Sequence, residues 1–203
     1  MDNDELLSKC SLLLADRFAN DPIIRYQLEG IRKPRSLLYW FFRSQLEAYD
    51  ELGAVDYIEG AKGCFAYYDT DEISEGTVQD ALVRKSSLLI DHLSQEDKKI
   101  LINKTLQITQ VCRPKWYRRY WKGEVCSTEF VAIDPSLKGS GAFRKLFVSV
   151  VDKYASRGVP VVGQTTNPDN VPLYEHCGFA VIETLQSPGT PFSCYCVAVV
   201  PQL

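Results

Sequence analysis

A chain of 203 residues can form one α/β domain with a sizeable core, and its apolar and charged fractions, 45% and 24%, are those of a globular protein. The net charge of −3 provides no attraction for nucleic acid or an anionic membrane, and no apolar run approaches the ~20 residues that span a bilayer. Seven cysteines with no C-x-x-C and no metal-like spacing exclude a disulfide framework or zinc site as the organising feature.

The acidic start, Met1-Asp2-Asn3-Asp4-Glu5, is unlike a secretory signal, so reduced thiols in a cytoplasmic protein are expected. Leu6, Leu7, Cys10, Leu13, Leu14 and Phe18 recur at helical spacing and predict a first helix. Ile23 to Leu28 forms a short second piece before Gly30, and Pro34 to Glu51 a third helix with Leu37, Leu38, Phe41, Phe42, Leu46 and Tyr49 on one face. Ala54–Glu59 and Cys64–Tyr68 are strand-like runs around Gly60-Ala61-Lys62-Gly63, the pattern of a hairpin.

Residues 72–122 are dominated by helical patterning. Ala81, Leu82, Leu88, Leu89 and Leu93 predict one helix; Ser94-Gln95-Glu96-Asp97 caps another, whose apolar residues include Ile100, Leu101 and Leu106. The run Cys112–Lys122 mixes five cations with four aromatics. An acidic-ligand surface is one reading; the preferred one is aromatics in the core with cations reaching outward.

Phe130-Val131-Ala132-Ile133 ends a buried strand, and Asp134 to Gly141 forms a glycine-containing loop. Phe143, Leu146, Phe147, Val150, Val151 and Tyr154 then follow on one helical stripe, stopped by Arg157-Gly158 ahead of the strand Val159–Gly163. This strand–helix–strand unit requires parallel strands. Two glycines at its turn let the backbone approach a ligand, and the free amides at a helix start favour an anion, so the loop is a candidate phosphate site. It is not a Walker A loop, because Lys138 precedes Gly139, and it is not a dinucleotide fingerprint, because Arg144 occupies the third glycine's place. Phe179–Thr184 and Ser193–Val200 are expected to close the sheet as an antiparallel pair.

Two motifs carry a family resemblance. Val131-Ala132-Ile133-Asp134-Pro135 followed by Lys138-Gly139-Ser140-Gly141-Ala142 resembles the acetyl-CoA loop of the GNAT superfamily of N-acetyltransferases, whose pattern is Arg/Gln-x-x-Gly-x-Gly/Ala. Asn167-Pro168-Asp169-Asn170-Val171-Pro172-Leu173-Tyr174-Glu175-His176-Cys177-Gly178-Phe179 resembles that family's second block and is similar to its puromycin-acetylating group. The match covers residues 124–200, with Phe18–Pro22 a weaker echo of the family's first helix. Lys138 replaces the usual Arg or Gln, losing the planar fork. Phe143 replaces the final small residue, so its ring must push the helix outward or turn into a neighbouring gap.

The resemblance implies a mixed α/β fold with a helical insertion: helices and a hairpin over 1–71, the insertion over 72–122, and the acetyl-CoA half over 123–203, together one domain. It implies a pantetheine arm along the backbone of Val131, Ala132 and Ile133. The pyrophosphate would sit on amides of Lys138, Gly139, Ser140, Gly141, Ala142, Phe143 and Arg144, with Asn167 bonding the cofactor's amides or shaping the turn. Tyr174 would be the general acid, although a packed core tyrosine is the other reading. Glu129, two residues before Val131 and so on the same face, is the candidate base, although an edge-facing solvated glutamate is equally expected. His176 and Cys177 are assigned no role. The implied activity is direct acetyl transfer from acetyl-CoA to a small-molecule amine, without metal, nucleic acid or membrane, and a homodimer is left open. Two alternatives stand beside it: a peptide or protein N-acetyltransferase, which would show an open acidic groove, and a non-catalytic acyl-CoA-binding module.

Overall fold

A computed structural model describes residues 1–200. Three helices lead the chain: α1 (Asn3–Phe18), α2 (Pro22–Leu28) and α3 (Pro34–Glu51). Asp2 caps α1 by accepting from the Glu5 amide, and Asp21 caps α2 in the same way from Ile23. Strands β1 (Val55–Ile58) and β2 (Gly63–Asp69) form the expected hairpin. The insertion holds α4 (Glu75–Lys85), α5 (Ser87–Ile90) and α6 (Gln95–Val111). Then come β3 (Cys126–Ile133), a π-helical turn Arg144–Val148 running into α7 (Ser149–Ser156), β4 (Val161–Thr165), α8 (Val171–His176), β5 (Ala180–Leu185) and β6 (Cys194–Val199).

The six strands lie in the order β1-β2-β3-β4-β6-β5, with β3 and β4 the one parallel pair among them. Opposite faces of the sheet carry different helices. On one, Leu7, Cys10 and Leu14 of α1 and Leu38, Phe42 and Leu46 of α3 bury Cys64 and Ala132. On the other, Leu146, Phe147, Val150 and Tyr154 pack on Phe65, Val161 and Val197, each such side chain contributing about 1.5–3 kcal/mol of transfer free energy. This pins β3 between two helical layers, the setting in which neighbouring strands can separate without exposing the core.

The structure departs from three expectations. The single helix through Ala81–Leu93 is broken at Ser86, which ends α4 and begins α5. Its hydroxyl bonds back to the Val83 carbonyl at 2.6 Å, the local competition that makes serine a poor helix-interior residue. Leu106, placed on the apolar face of α6, is 59% exposed; the buried residues near that end are Ile108 and Val111. The helix after the glycine loop contains the π turn, where the Ser149 amide bonds to the Arg144 carbonyl. In the Cys112–Lys122 run, Trp116 and Tyr117 are buried as preferred, while Tyr120 stays exposed.

Candidate active site

The site begins with a failure of pairing. Along β3 and β4 the parallel ladder contains two register pairs, Cys126↔Val161 and Ser127↔Val162, and then stops. Past that point β3 continues to Ile133 with its other edge bonded to β2, through Phe65↔Val131, Cys64↔Ala132 and Gly63↔Ile133. The edge of Val131–Ile133 that faces β4 is therefore open for an extended ligand, as an added strand would use it. Thr128 stands where the strands diverge, its Oγ1 donating to the Val162 carbonyl at 2.9 Å. A side chain at Gly163 would place Cβ 2.6 Å from that oxygen, so glycine is required for the wedge to fit.

Between the diverging strands lies a cleft of about 530 Å³. Val131, Ala132 and Ile133 form one wall; Thr165, Thr166, Asn167, Asn170 and Tyr174 form the other. The cleft opens into a mouth of about 1050 Å³ bounded by Lys138, Gly139, Gly141, Ala142 and Arg144, and the two share Arg17, Ile133, Phe143, Leu173 and Cys177. The glycine loop thus lies at the outer end of the same channel.

The loop's amides divide into two sets. Those of Lys138 and Ser140 bond to the Pro135 and Leu137 carbonyls at 3.1 Å, and that of Ala142 faces the Ser140 hydroxyl at 3.3 Å. Lys145 bonds to the Gly141 carbonyl, so the helix leaves the amides of Phe143 and Arg144 without a turn before them to satisfy. With Gly139 and Gly141, these amides are the ones available to an anion. Both glycines adopt positive φ, +80° and +79°, a conformation that would strain other residues. Lys138 and Arg144 line the mouth with Arg17 from the last turn of α1.

Phe143 resolves the packing question by turning inward. Its ring stacks on Phe147 with centroids 5.1 Å apart and lines both the cleft and the mouth. Asn167 uses Oδ1 to accept from the Asp169 amide at 3.1 Å, so its oxygen shapes the turn, and the residue also lines the cleft.

Tyr174 reaches the cleft from α8, its ring set edge-on to Phe179 and Phe147 at 5.3 and 6.0 Å. Burial, then the charges of Asp21 and Cys177, push its phenol up to about 12, which keeps it protonated across the neutral range. Glu129 occupies a bulge: Ala66 pairs with Phe130 and Tyr67 with Thr128, leaving Glu129 as the extra residue on β3. The simple alternation from Glu129 to Val131 is interrupted there, yet both residues line the cleft. Glu129 is exposed, its carboxylate open to the solvent that fills the cleft although β3 and the neighbouring side chains crowd around it. The protein packed around the carboxylate raises its pKa, against which Ser127, donating at 2.8 Å, and the nearby Tyr49 hydroxyl act.

Several lining residues carry no sequence motif. Asp21 accepts from Thr166 Oγ1 at 2.8 Å and from the Ile23 amide at 3.1 Å, joining α2 to the end of β4. Gln164 and Cys112 line the cleft together with Glu129. Their only advance signal was the weak Phe18–Pro22 echo, which marked Asp21. His176 sits at the mouth, away from the cleft that Tyr174 lines. Among the described residues no group of three or more His, Cys, Asp or Glu is arranged to hold a metal ion, and no helix is long and apolar enough to cross a membrane.

No protein-family model matches the chain, and no curated protein matches it. Solved structures do. A structure described as histone acetyltransferase HPA2 and related acetyltransferase, from Corynebacterium glutamicum, aligns over 100% of this chain and 94% of its own, at 15% identity and a TM-score of 0.55. Arylalkylamine N-acetyltransferase 2 from Aedes aegypti aligns over 96% and 94%, at 12% identity and 0.56. Polyamine N-acetyltransferase from Drosophila melanogaster, which forms N-acetylagmatine, aligns over 100% and 97%, at 13% and 0.54. At such identities the likeness is one of architecture: this chain has the GNAT-type acetyltransferase fold, a mixed six-stranded sheet flanked by helices and opened between β3 and β4.

Proposed function

We propose that the protein is an N-acetyltransferase that moves the acetyl group of acetyl-CoA directly to a primary amine of a small molecule. The observation that carries this reading is the splayed β3–β4 cleft, with an open β3 edge on one wall, Tyr174 on the other, and a glycine loop with free amides at its mouth. The names of the neighbours, which include arylalkylamine and polyamine acetyltransferases, support amine acetylation, and the similarity of residues 170–175 to the puromycin-acetylating group supports a small-molecule acceptor.

The thioester supplies the acyl group and a thiolate leaving group. Glu129, a carboxylate with raised proton affinity, takes the proton that the acceptor ammonium must lose, through water in the cleft. A main-chain amide on the open β3 edge donates to the developing oxyanion. Tyr174 donates its phenolic proton to the departing sulfur, a role suited to a phenol that stays neutral. Amides of Gly139, Gly141, Phe143 and Arg144 hold the pyrophosphate, with Lys138 and Arg17 beside it. A single domain spanning the chain, in a cytoplasmic setting, belongs to the same reading.

Calorimetric titration with acetyl-CoA, paired with a thiol-release assay over an amine panel, tests it. Binding with turnover on a small amine supports the proposal. Binding without turnover on any amine favours a non-catalytic acyl-CoA module, and absence of binding overturns the reading.

A further inference from the structure

A second cavity, of about 320 Å³, adjoins the cleft and shares Glu129, Gln164 and Cys112 with it. Its walls come from α3, β2, α4 and the Cys112–Tyr117 segment. Four aromatic rings line it, Tyr49, Tyr68, Trp116 and Tyr117, each no more than 7% exposed and so fixed by packing. Val78 and Leu82 of α4 add apolar surface.

Two carboxylates face this cavity, and they differ in charge balance. Glu75 accepts from Tyr117 OH at 2.9 Å and from Arg118 Nε at 2.7 Å, and Lys115 Nζ lies 3.4 Å from its other oxygen. These cations hold its carboxyl below the usual range despite burial, and leave that region with a net positive balance. Glu129 accepts from Ser127, a neutral donor, and shares this cavity's wall with the uncharged Tyr49. The cavity therefore has one place for a cation, beside the cleft, while a second ammonium reaching toward Glu75 would meet Lys115 and Arg118. A volume of 320 Å³ stands at the bottom of the roughly 300–1,000 Å³ span of small-molecule pockets, too little for a peptide with its flanking residues.

We infer that this cavity receives the acceptor and selects a primary monoamine carried on an aromatic body, its amine at Glu129 and its ring among Tyr49, Tyr68, Trp116 and Tyr117, over polyamines and peptides. The inference rests on the acetyl-transfer reading. It adds a substrate class, argued from the separation of an uncompensated carboxylate from a compensated one by aromatic walls.

The test uses the full chain, acetyl-CoA and four probes: phenethylamine, 1,4-diaminobutane, spermidine and a short alanine-rich peptide. The expected kcat/KM for phenethylamine exceeds that of each other probe by about tenfold or more, the scale on which an apolar pocket discriminates. Lys115, half exposed, provides the second arm. In Lys115→Gln the positive balance near Glu75 falls, and the diaminobutane-to-phenethylamine ratio is expected to rise about threefold, with acetyl-CoA affinity unchanged. Turnover of a polyamine or the peptide at least as good as phenethylamine overturns the inference and leaves acetyl transfer standing. An unchanged ratio in the Lys115 variant refutes the charge argument. Failure of acetyl-CoA to bind overturns the inference together with the reading beneath it.

Discussion

Gly163→Ala probes the origin of the cleft most directly. The new methyl would lie 2.6 Å from Thr128 Oγ1, well inside ordinary carbon–oxygen contact, and 3.8 Å from both the Thr128 carbonyl and Val197. Thr128 cannot easily yield, because β-branching stiffens its χ1 and its hydroxyl is bonded to the Val162 carbonyl at 2.9 Å. Overpacking at such a site costs about 1–3 kcal/mol, and breaking the hydroxyl bond adds about 0.5–1.5 kcal/mol. The sum, about 1.5–4.5 kcal/mol, lowers the melting temperature by about 3–18 °C for a chain of this size. Thr128→Ala alone loses the bond but opens the space, so the double variant is expected to be less destabilised than the sum of the singles, by roughly 1–3 kcal/mol. Thermal and urea denaturation of all four forms measure this. Additive effects, or a Gly163→Ala protein as stable as the parent, refute the wedge.

The other expectations concern chemistry and the cofactor. Tyr174→Phe should lower kcat by roughly 10²–10⁴-fold with acetyl-CoA affinity nearly unchanged, and an unaltered kcat removes the acid role. With its phenol at about 12, the parent should show no alkaline fall in rate from this group between about pH 7 and 10. Glu129→Gln should reduce turnover and, because solvent in the cleft screens the exposed carboxylate, stabilise the fold only slightly at neutral pH. A carboxyl whose folded pKa is raised binds protons more tightly folded than unfolded, so stability declines as pH climbs through that window, and the variant's advantage should vanish below about pH 4. A large gain in melting temperature at neutral pH would show the carboxylate to be poorly solvated in the cleft, and no gain at any pH would show its pKa to be unshifted. Gly141→Val should abolish acetyl-CoA binding, since a β-branched residue at φ +79° moves the loop's amides; a normal titration counts against the loop. Phe143→Ala should leave that affinity equal or tighter, and a clear loss would make the ring part of the binding surface.

Elements whose information is local were legible in the sequence. The Pro34–Glu51 helix has a proline at its start and a continuous apolar face, and Ser94 announces α6 through its side chain, which accepts from the Asp97 amide. The glycine loop and the Asn167–Phe179 block could be recognised because main-chain geometry demands particular residues there. The bulge at Glu129 could not, because it exists only relative to the register of β2. Asp21 and Thr166 lie 145 positions apart and meet only in the folded chain. The break at Ser86 turned on one hydroxyl choosing its own backbone, which apolar spacing does not report.

The aromatic cavity shows how such distant pieces acquire one purpose. Tyr49 belongs to α3, Tyr68 to β2, Val78 and Leu82 to α4, and Trp116 to the segment after α6, and each is an ordinary core residue by pattern. What distinguishes them is where β3 bulges. A regular strand would alternate through Glu129 and keep pairing Tyr67 and Ala66 with successive partners; the extra residue instead lets one carboxylate border both the cleft beside the open β3 edge and the ring-lined cavity beside α4. The insertion over 72–122 supplies a wall of this cavity and the cations that balance Glu75. Deleting Glu129 would remove the bulge and the carboxylate that borders both cavities, leaving Gln164 and Cys112 as their shared walls. Substituting Glu129 with Gln would keep the bulge and remove only the charge.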